Sequence, residues 1–426
     1  MAPGPLRAAA GEGRRGERRH ARAAGGSLSL DLRRRALLHS ALLAAGVAPA
    51  WAQTGPAQGG QGPASQGQAA PATGGSAAGQ PGREGPGLGE VARDHGLRYG
   101  AAVQAAMLER DASYARAYET ECALLVPEYE GKWAALQPAE GKFDFRGLDA
   151  LTGWARAKNK TVRGHALVWH NAMPDWLTAA LAEGPDRARA LLDAHIRTVL
   201  DHTRPTIREW DVVNEVVADP PGSDTPQSTP GDLRDSPWLR ALGPDYIPLS
   251  LRLARAQDPT LRLVLNEYGV EEEAPHCLEK RRRLLDLVRS IRRAGAPLDA
   301  VGLQAHLQMD RPFNPASFTT FCRALAAEGL GVLITELDVR ESWRVPDGYP
   351  ARDQLVADRV RSFVDAALAG GVKTFLTWGL IDRYSWLVTD PGVKRADGLL
   401  HRGLPLDWEG NRKVYWQAMV DAFRSA

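Results

Sequence analysis

Apolar runs recur along the chain beyond residue 88, and the segments between them repeat apolar positions with helical spacing. The runs cover residues 97–103, 121–126, 161–169, 209–215, 261–268, 298–307, 331–339 and 372–380. Most are continuous rather than alternating, which is typical of strands buried on both faces of a parallel sheet. Residues 281–295 and 351–371 have the amphipathic pattern of helices, and Gly295 is well suited to end the first of them.

Eight strand–helix units in one domain predict an α/β fold, a (β/α)8 TIM barrel, over residues 88–426. An open, doubly wound sheet is the alternative. That alternative is disfavoured because no glycine-rich phosphate-binding loop follows the first predicted strand.

Polar and aromatic side chains occur at the end of nearly every predicted strand. In chain order they are Glu128, Lys132, His165, Trp169, His170, Asn214, Glu215, Asn266, Glu267, Gln304, His306, Glu336, Asp338 and Trp378. The carboxyl ends of all strands in such a barrel meet at one face, where active sites lie. A structural role alone does not explain polar residues at seven strand ends, so we expect a functional site there.

Two glutamates on different strands suggest glycoside hydrolysis. Glu215 follows the fourth strand and Glu336 lies in the seventh, so both could meet at the barrel mouth. A retaining hydrolase needs an acid that protonates the leaving oxygen and an ionised nucleophile, about 5–5.5 Å apart. An acid of this kind should have a raised pKa, which we expect for Glu215. The structural alternative for a lone Glu at a strand end, a salt bridge with an Arg of a neighbouring loop, is preferred for Glu267.

The aromatic residues and histidines divide between the site and the core. Trp169, Trp378 and Trp386 are expected at the barrel mouth, where indole faces can pack on sugars, whereas Trp133, Trp154 and Trp176 are expected in the core. His165 and His170 could suggest a metal pair, but their odd spacing sends them to opposite faces of a strand, and no HExxH motif is present. Neither a metal nor a cofactor is expected.

The residues before the barrel have the pattern of an export region. An Arg34-Arg35 pair, an apolar run from Ala36 to Val47 and Ala50-Trp-Ala52 predict a cleaved, twin-arginine-like signal over residues 1–52. A membrane anchor is the alternative, for which the run is short. Residues 53–87 are rich in Gly, Pro, Gln and Ala and predict a disordered linker. We therefore expect a periplasmic or extracellular protein.

Charge and cysteine content exclude several classes of partner and stabilisation. The formal net charge is +2, but without residues 1–35 the chain has 44 basic and 48 acidic residues. This mildly acidic body gives no reason to expect nucleic acid or anionic membranes as partners. Three cysteines cannot form a disulfide framework, and whether Cys277 and Cys322 pair is left open. We expect a monomer.

The order and spacing of six motifs resemble the family 10 glycoside hydrolases, chiefly endo-β-1,4-xylanases. The motifs are PEYEGKW (127–133), GHALVWH (164–170), WDVVNE (210–215), VGLQAHL (301–307), ITELDV (334–339) and WGLIDRYSW (378–386). The resemblance implies a retaining mechanism on xylan and xylo-oligosaccharides, with Glu215 as general acid/base and Glu336 as nucleophile. It also implies supporting roles for Asn214, His306 and Asp338, and a non-reducing-side sugar site lined by Glu128, Lys132, His165, Trp169, Gln304, Trp378 and Trp386.

Two departures from the family pattern affect the expected sugar sites. Tyr129 stands where the family usually has Asn, and Ala172 stands where it often has Gln. The alternatives to a xylanase are therefore a related β-1,4-glycanase or an exo-acting glycosidase with altered sugar sites. An inactive carbohydrate-binding barrel is a third hypothesis, disfavoured because both glutamates are present.

Overall fold

The computed structural model describes residues 85–227, 230–395 and 397–426. The predicted export region, 1–52, and all but the last residues of the predicted linker, 53–87, lie outside the described residues. The first described helix begins at Leu88, where the sequence predicts the barrel domain to start.

Nine strands form one parallel sheet in the described residues. They are β1 (Arg98–Val103), β2 (Leu124–Pro127), β3 (Thr161–Gly164), β4 (Ile207–Asn214), β5 (Arg262–Glu267), β6 (Ala300–Leu303), β7 (His306–Gln308), β8 (Gly331–Arg340) and β9 (Thr374–Thr377). Each of β1 to β5 pairs with the next strand, β6 pairs with β8, β8 with β9, and β9 with β1, while the short β7 pairs only with β8 among the described strands. Eight strands therefore close a barrel, which confirms the predicted fold.

Helices follow the strands and cover the outside of the barrel. They are α1 (Leu88–Asp94), α2 (Ala105–Arg110), α3 (Ala112–Glu121), α4 (Trp133–Leu136), α5 (Arg146–Ala157), α6 (Asp175–Leu181), α7 (Pro185–Thr203), α8 (Pro237–Leu242), α9 (Tyr246–Gln257), α10 (Pro275–Arg293), α11 (Pro315–Ala327), α12 (Tyr349–Ala369), α13 (Trp386–Thr389) and α14 (Val414–Arg424). In the part of the chain that the structure describes, no helix is both long enough and apolar enough to cross a bilayer.

The helix α10 shows how the sequence pattern produces this packing. Leu284, Val288 and Ile291 are buried against the core. Gly295 lies just past the end of the helix with φ of +62° and donates its N–H to Arg292 O at 2.9 Å. A left-handed residue of this kind ends a helix at little cost only when it lacks a Cβ atom. The predicted helix end is therefore confirmed.

The sixth predicted strand, 298–307, is interrupted. The strand β6 ends at Leu303, Ala305 adopts φ of +65°, and the chain then forms β7, which pairs with the last three residues of β8. The interruption turns His306 toward the end of β8, so that His306 lies beside Asp338 in the ladder. The apolar run is continuous in the sequence, so it predicted one strand and not this change of direction.

Candidate active site

Glu215 and Glu336 reach the barrel mouth from different backbone conformations. Glu336 lies inside the strand β8, where the register against β9 shifts between Ile334 and Leu337, and is 4% exposed. Glu215 comes directly after the last residue of β4 and has a left-handed φ of +55°, which is uncommon for a residue with a side chain. Its N–H donates to Asn266 O at 2.9 Å, and the Arg234 guanidinium donates to its carbonyl at 2.8 Å. These two bonds hold the turn that points Glu215 into the mouth.

A chain of side-chain amides connects the two glutamates. Asn266 donates from one Nδ2 to Glu336 Oε1 at 2.7 Å and to Asn214 Oδ1 at 2.9 Å. Gln304 Nε2 lies 3.4 Å from the same Asn214 oxygen and donates to Glu215 Oε1 at 3.1 Å. The structure thus brings Asn214, Gln304 and both glutamates into one hydrogen-bonded group.

The Glu336 carboxylate is held by a protonated histidine. His306 donates from Nε2 to Glu336 Oε2 at 3.2 Å and from Nδ1 to Asp338 Oδ1 at 2.9 Å. Burial disfavours the charged imidazole, but the two carboxylates outweigh burial and raise the His306 pKa well above its ordinary value. Burial likewise opposes ionisation of Glu336, yet the hydrogen bond from His306 and the nearby charges of His165 and His306 lower its pKa. Glu336 is therefore kept ionised.

Asp338 also fixes an aromatic wall of the site. The Trp386 indole N–H donates to Asp338 Oδ2 at 2.6 Å, so the carboxylate binds Trp386 and His306 at the same time. The His306 and Trp386 rings meet edge to face with centroids 5.2 Å apart. The relative placement of Glu336, His306 and Trp386 therefore depends on one buried carboxylate.

The surroundings of Glu215 differ from the expectation of a raised pKa. Burial raises the Glu215 pKa, but the charge of His170 when it is protonated, the charge of Arg234 and side-chain hydrogen bonds together outweigh burial and lower that pKa in the unliganded site. His170 Nδ1 lies 3.9 Å from Glu215 Oε2, and burial lowers the His170 pKa to about 4. His170 is therefore neutral near neutral pH, where Arg234 and the hydrogen bond from Gln304 remain to oppose burial.

A buried ionic cluster lies behind Glu215. Lys280 Nζ is 2.6 Å from Asp219 Oδ1 and 3.1 Å from Glu267 Oε1, and Arg234 Nη2 is 3.2 Å from Asp219 Oδ2. Glu267 also accepts the Val217 N–H at 2.9 Å. Glu267 thus has the structural role that the sequence favours, although its partner is a helix lysine. The cluster secures the backbone at the Glu215 carbonyl and at the Val217 N–H.

Residues predicted for the non-reducing-side sugar site gather on the other side of the mouth. Lys132 Nζ lies 5.0 Å from the Trp169 ring centroid and 5.9 Å from that of Trp378. Desolvation lowers the Lys132 pKa against the opposing effects of Glu128 and of the two glutamates of the mouth. Glu128 accepts a 3.0 Å hydrogen bond from Gln104, a residue not anticipated from the sequence. The group offers charged, hydrogen-bonding and aromatic surfaces to a sugar.

His165 is positioned by charges inside the barrel wall. Its Nδ1 donates to Asp211 Oδ2 at 2.8 Å, and the Arg163 guanidinium binds Asp211 and also Glu209, the latter at 3.1 Å. Asp211 was missed by the sequence reasoning, although a charged residue inside the apolar run of β4 is a usable signal. Asn266 was noted at a strand end, but its link to Glu336 was not foreseen, since the sequence does not show which strands are neighbours across the mouth.

The remaining expectations concern residues beside the mouth. Trp133 is buried, with its ring stacked on His195 at 3.5 Å, and Trp154 and Trp176 are partly buried against the core. Tyr129 is 40% exposed, with Lys132 Nζ 5.3 Å from its ring centroid. No group of three or more His, Cys, Asp or Glu in the described ranges could hold a metal ion. Three cysteines are free and buried, so Cys277 and Cys322 are unpaired.

Comparison with known proteins connects this geometry to one family. A family model described as glycosyl hydrolase family 10 matches residues 87–422. Endo-1,4-beta-xylanase 1 of Humicola insolens is 32% identical over 338 residues, which cover 78% of this chain and 73% of that protein. Endo-1,4-beta-xylanase B of Thermotoga neapolitana is 31% identical over 286 residues, which cover 67% of this chain and 77% of that protein.

The fold agrees with solved structures of similar sequence. The crystal structure of xylanase 10B from Thermotoga petrophila in complex with xylobiose matches with a TM-score of 0.71 and 28% identity, covering 80% of this chain and 98% of that chain. The family model spans most of the chain, and the match includes every strand of the barrel. The protein is a glycoside hydrolase, and its chain belongs to glycosyl hydrolase family 10.

Proposed function

We propose that this enzyme hydrolyses internal β-1,4-xylosidic linkages of xylan with retention of configuration, with Glu336 as nucleophile and Glu215 as general acid/base. The observation that carries the proposal is the hydrogen-bonded group at the barrel mouth, in which side-chain amides connect the two carboxyl groups. Family membership and relatives named as endo-1,4-beta-xylanases support xylan as the substrate.

The first chemical step forms a covalent intermediate. The Glu336 carboxylate attacks the anomeric carbon while the bond to the leaving oxygen breaks, and Glu215 gives its proton to that oxygen. The His306 hydrogen bond orients the Glu336 oxygen that is not bound by Asn266. In the second step the Glu215 carboxylate takes a proton from water, the water oxygen attacks the anomeric carbon, and Glu336 is released.

The proton on Glu215 is regulated by the charge of Glu336. Each carboxylate disfavours ionisation of the other, and this repulsion opposes the lowering of the Glu336 pKa in the free site. When Glu336 becomes an ester its charge disappears, so the Glu215 pKa falls and the residue changes from acid to base. Sugar binding that displaces water from the mouth strengthens the effect of burial, which raises the Glu215 pKa before the first step.

The proposed substrate and outcome are tested together with defined oligosaccharides. Xylohexaose and cellohexaose are digested separately, product lengths are measured over time, and the first anomer released is read by proton NMR. We expect cleavage inside xylohexaose with the β-anomer formed first. Faster cleavage of cellohexaose would favour the alternative β-1,4-glycanase, release from one end would favour an exo-acting enzyme, and an initial α-anomer would contradict retention.

We also propose export, based on the arginine pair, apolar run and small residues within positions 1–52. The full chain is produced in a bacterium with a twin-arginine pathway, and the N-terminus of the protein outside the inner membrane is sequenced. We expect cleavage near Ala52. Uncleaved protein held in the membrane would favour the anchor instead.

A further inference from the structure

A second part of the cleft begins at the catalytic residues and extends away from the non-reducing-side sugar site. This cavity, of about 200 Å³, is lined by His306, Asp338, Trp386, Tyr268, Arg311 and Arg340, among others. Of the residues predicted for the non-reducing side, Trp386 alone lines it. The cavity therefore lies on the leaving-group side of the scissile bond.

Two cations of this cavity are engaged by carboxylates of the protein. Lys280 binds Asp219 and Glu267 in the cluster behind Glu215. Arg311 lies 3.2 Å from an Asp224 oxygen and 3.4 Å from a Glu272 oxygen. Neither side chain is free to neutralise an anion brought by the substrate. His306 is similarly occupied by Glu336 and Asp338.

Arg340 also lines this cavity but, unlike Lys280 and Arg311, it is not paired with a carboxylate of the described residues. Its guanidinium makes no ion pair, hydrogen bond or aromatic contact with residues 85–227, 230–395 or 397–426, although it lines the cavity and is half-buried. A charge that is partly removed from water is costly unless it is paired. The Arg340 guanidinium is therefore a positive charge that faces the substrate cleft and has no partner among the described residues.

The backbone fixes where Arg340 faces. Arg340 is the last residue of β8 and follows Glu336 and Asp338 at alternate positions, so these three side chains leave the same face of the strand. Its carbonyl accepts the Met309 N–H at 3.0 Å, which ties the strand end to the chain after β7. Four residues of strand separate its Cα atom from that of Glu336 by about 13 Å. Arg340 therefore acts on the neighbouring sugar and not on the reacting atoms.

We propose that Arg340 binds the carboxylate of a uronic acid side group on the leaving-group side of xylan, so that the enzyme selects acidic xylan. This inference rests on the proposed function. Uronic acids are the usual anionic substituents of xylan, and a guanidinium can bind a carboxylate through two parallel hydrogen bonds. Because Lys280 and Arg311 are already paired with carboxylates of the protein, Arg340 is the residue that can make this contact. Arg340 is thus a specificity-determining residue of the same cleft.

The test compares three oligosaccharides with the same xylose backbone: one without a side group, one with a single glucuronic acid, and one with that acid reduced to an alcohol. For each, kcat/KM and the cleavage position are measured with the wild-type enzyme, Arg340→Met and Arg340→Lys. We expect Arg340→Met to lower the ratio of kcat/KM for the acidic to the plain substrate about tenfold, the size of one charged hydrogen-bonding contact. Arg340→Lys should retain part of the preference, and high salt should weaken the preference in the wild type.

A matched control is Arg344→Met, since Arg344 lies over the Trp343 ring outside this cavity and should leave the ratio unchanged. A ratio for Arg340→Met within about twofold of the wild-type ratio would overturn the proposal, because that change is smaller than one charged contact. An equal loss on the acidic and the reduced substrate would also overturn it, since the carboxylate would then be irrelevant.

A wild-type enzyme that cleaves none of the three substrates refutes the proposed xylanase function, whereas cleavage with an unchanged ratio refutes the role of Arg340 alone. Thermal unfolding of each variant separates lost folding from lost recognition.

Discussion

The two glutamates proposed as catalytic, Glu215 and Glu336, occupy contrasting sites in the same barrel mouth. Glu336 lies within the strand β8, with one carboxylate oxygen bound by Asn266 and the other by a protonated His306. Glu215 lies just beyond a strand, in a left-handed conformation, with one carboxylate oxygen bound by Gln304. The nucleophile needs a fixed position and a constant charge, whereas the acid/base must change its charge in each cycle. In the structure, hydrogen bonds hold both carboxylate oxygens of Glu336, whereas the Glu215 carboxylate accepts a hydrogen bond of 3.1 Å from Gln304 at one oxygen.

The largest expected effect comes from removing the nucleophile. Glu336→Ala should lower the turnover of xylan on the order of 10⁵-fold, because no group remains to attack the anomeric carbon. Azide fits the space left by the carboxylate and should restore part of the reaction with an activated aryl xylobioside. NMR of the product should then show inverted configuration. Rescue with retained configuration would assign the nucleophile to another residue.

The next largest effect tests the acid/base side. Glu215→Ala should slow xylan hydrolysis by about 10³-fold, because the sugar leaving group needs a proton. A series of aryl xylobiosides should lose less activity as the leaving phenol becomes more acidic, with the first turnover followed by stopped-flow absorbance. If all leaving groups slowed equally, Glu215 would not be the proton donor.

A medium effect should separate the charge of Glu336 from its position. In His306→Gln the imidazolium that lowers the Glu336 pKa is removed, so that pKa rises. The reaction needs ionised Glu336 and is lost as pH falls through its pKa, so the acidic limb of the kcat/KM profile should move to higher pH. The kcat value should fall about 10- to 100-fold through loss of orientation.

His202→Gln is a matched control for this substitution. His202 pairs with Asp149 on the protein surface and should leave the pH profile unchanged. An acidic limb in His306→Gln that stays in place, or that moves to lower pH, would contradict the proposed charge support of Glu336.

The smallest effect is expected at the histidine beside Glu215. Because burial keeps His170 neutral above about pH 4, replacing it with neutral Gln should move the basic limb of kcat/KM by less than about half a pH unit. A shift to higher pH of more than one unit would show that His170 carries a charge near neutrality. The two sides of the mouth would then be more alike in their charge support than the structure indicates.

The sequence predicted the barrel because its strands are continuous apolar runs and its helices are amphipathic. It also predicted which polar residues lie at the mouth, since the carboxyl ends of parallel strands meet at one face. The role of Asn266 between Asn214 and Glu336 required knowledge of side-chain directions across the barrel. The break at Ala305 and the left-handed turn at Glu215 depend on tertiary hydrogen bonds that leave no local pattern.

The pKa of Glu215 was the property of the site that was hardest to predict from the sequence. A role as general acid suggested a raised value, but Arg234 reaches Glu215 from 19 residues further along the chain and lowers it. The opposite directions of burial and of neighbouring charge can be weighed only when the distances are known. The resting and substrate-bound sites are therefore expected to differ in the protonation of Glu215 more than in that of Glu336.

The most direct test of the account is to trap the covalent intermediate. A 2-deoxy-2-fluoro xylobioside with a good leaving group forms the ester quickly and hydrolyses it slowly, and peptide mass spectrometry then locates the sugar. The account predicts one 2-deoxy-2-fluoro-xylobiosyl group attached to Glu336, with labelling greatly slowed in Glu336→Gln. A label on Glu215, or an active enzyme that forms no adduct while turning over the same reagent, would contradict it.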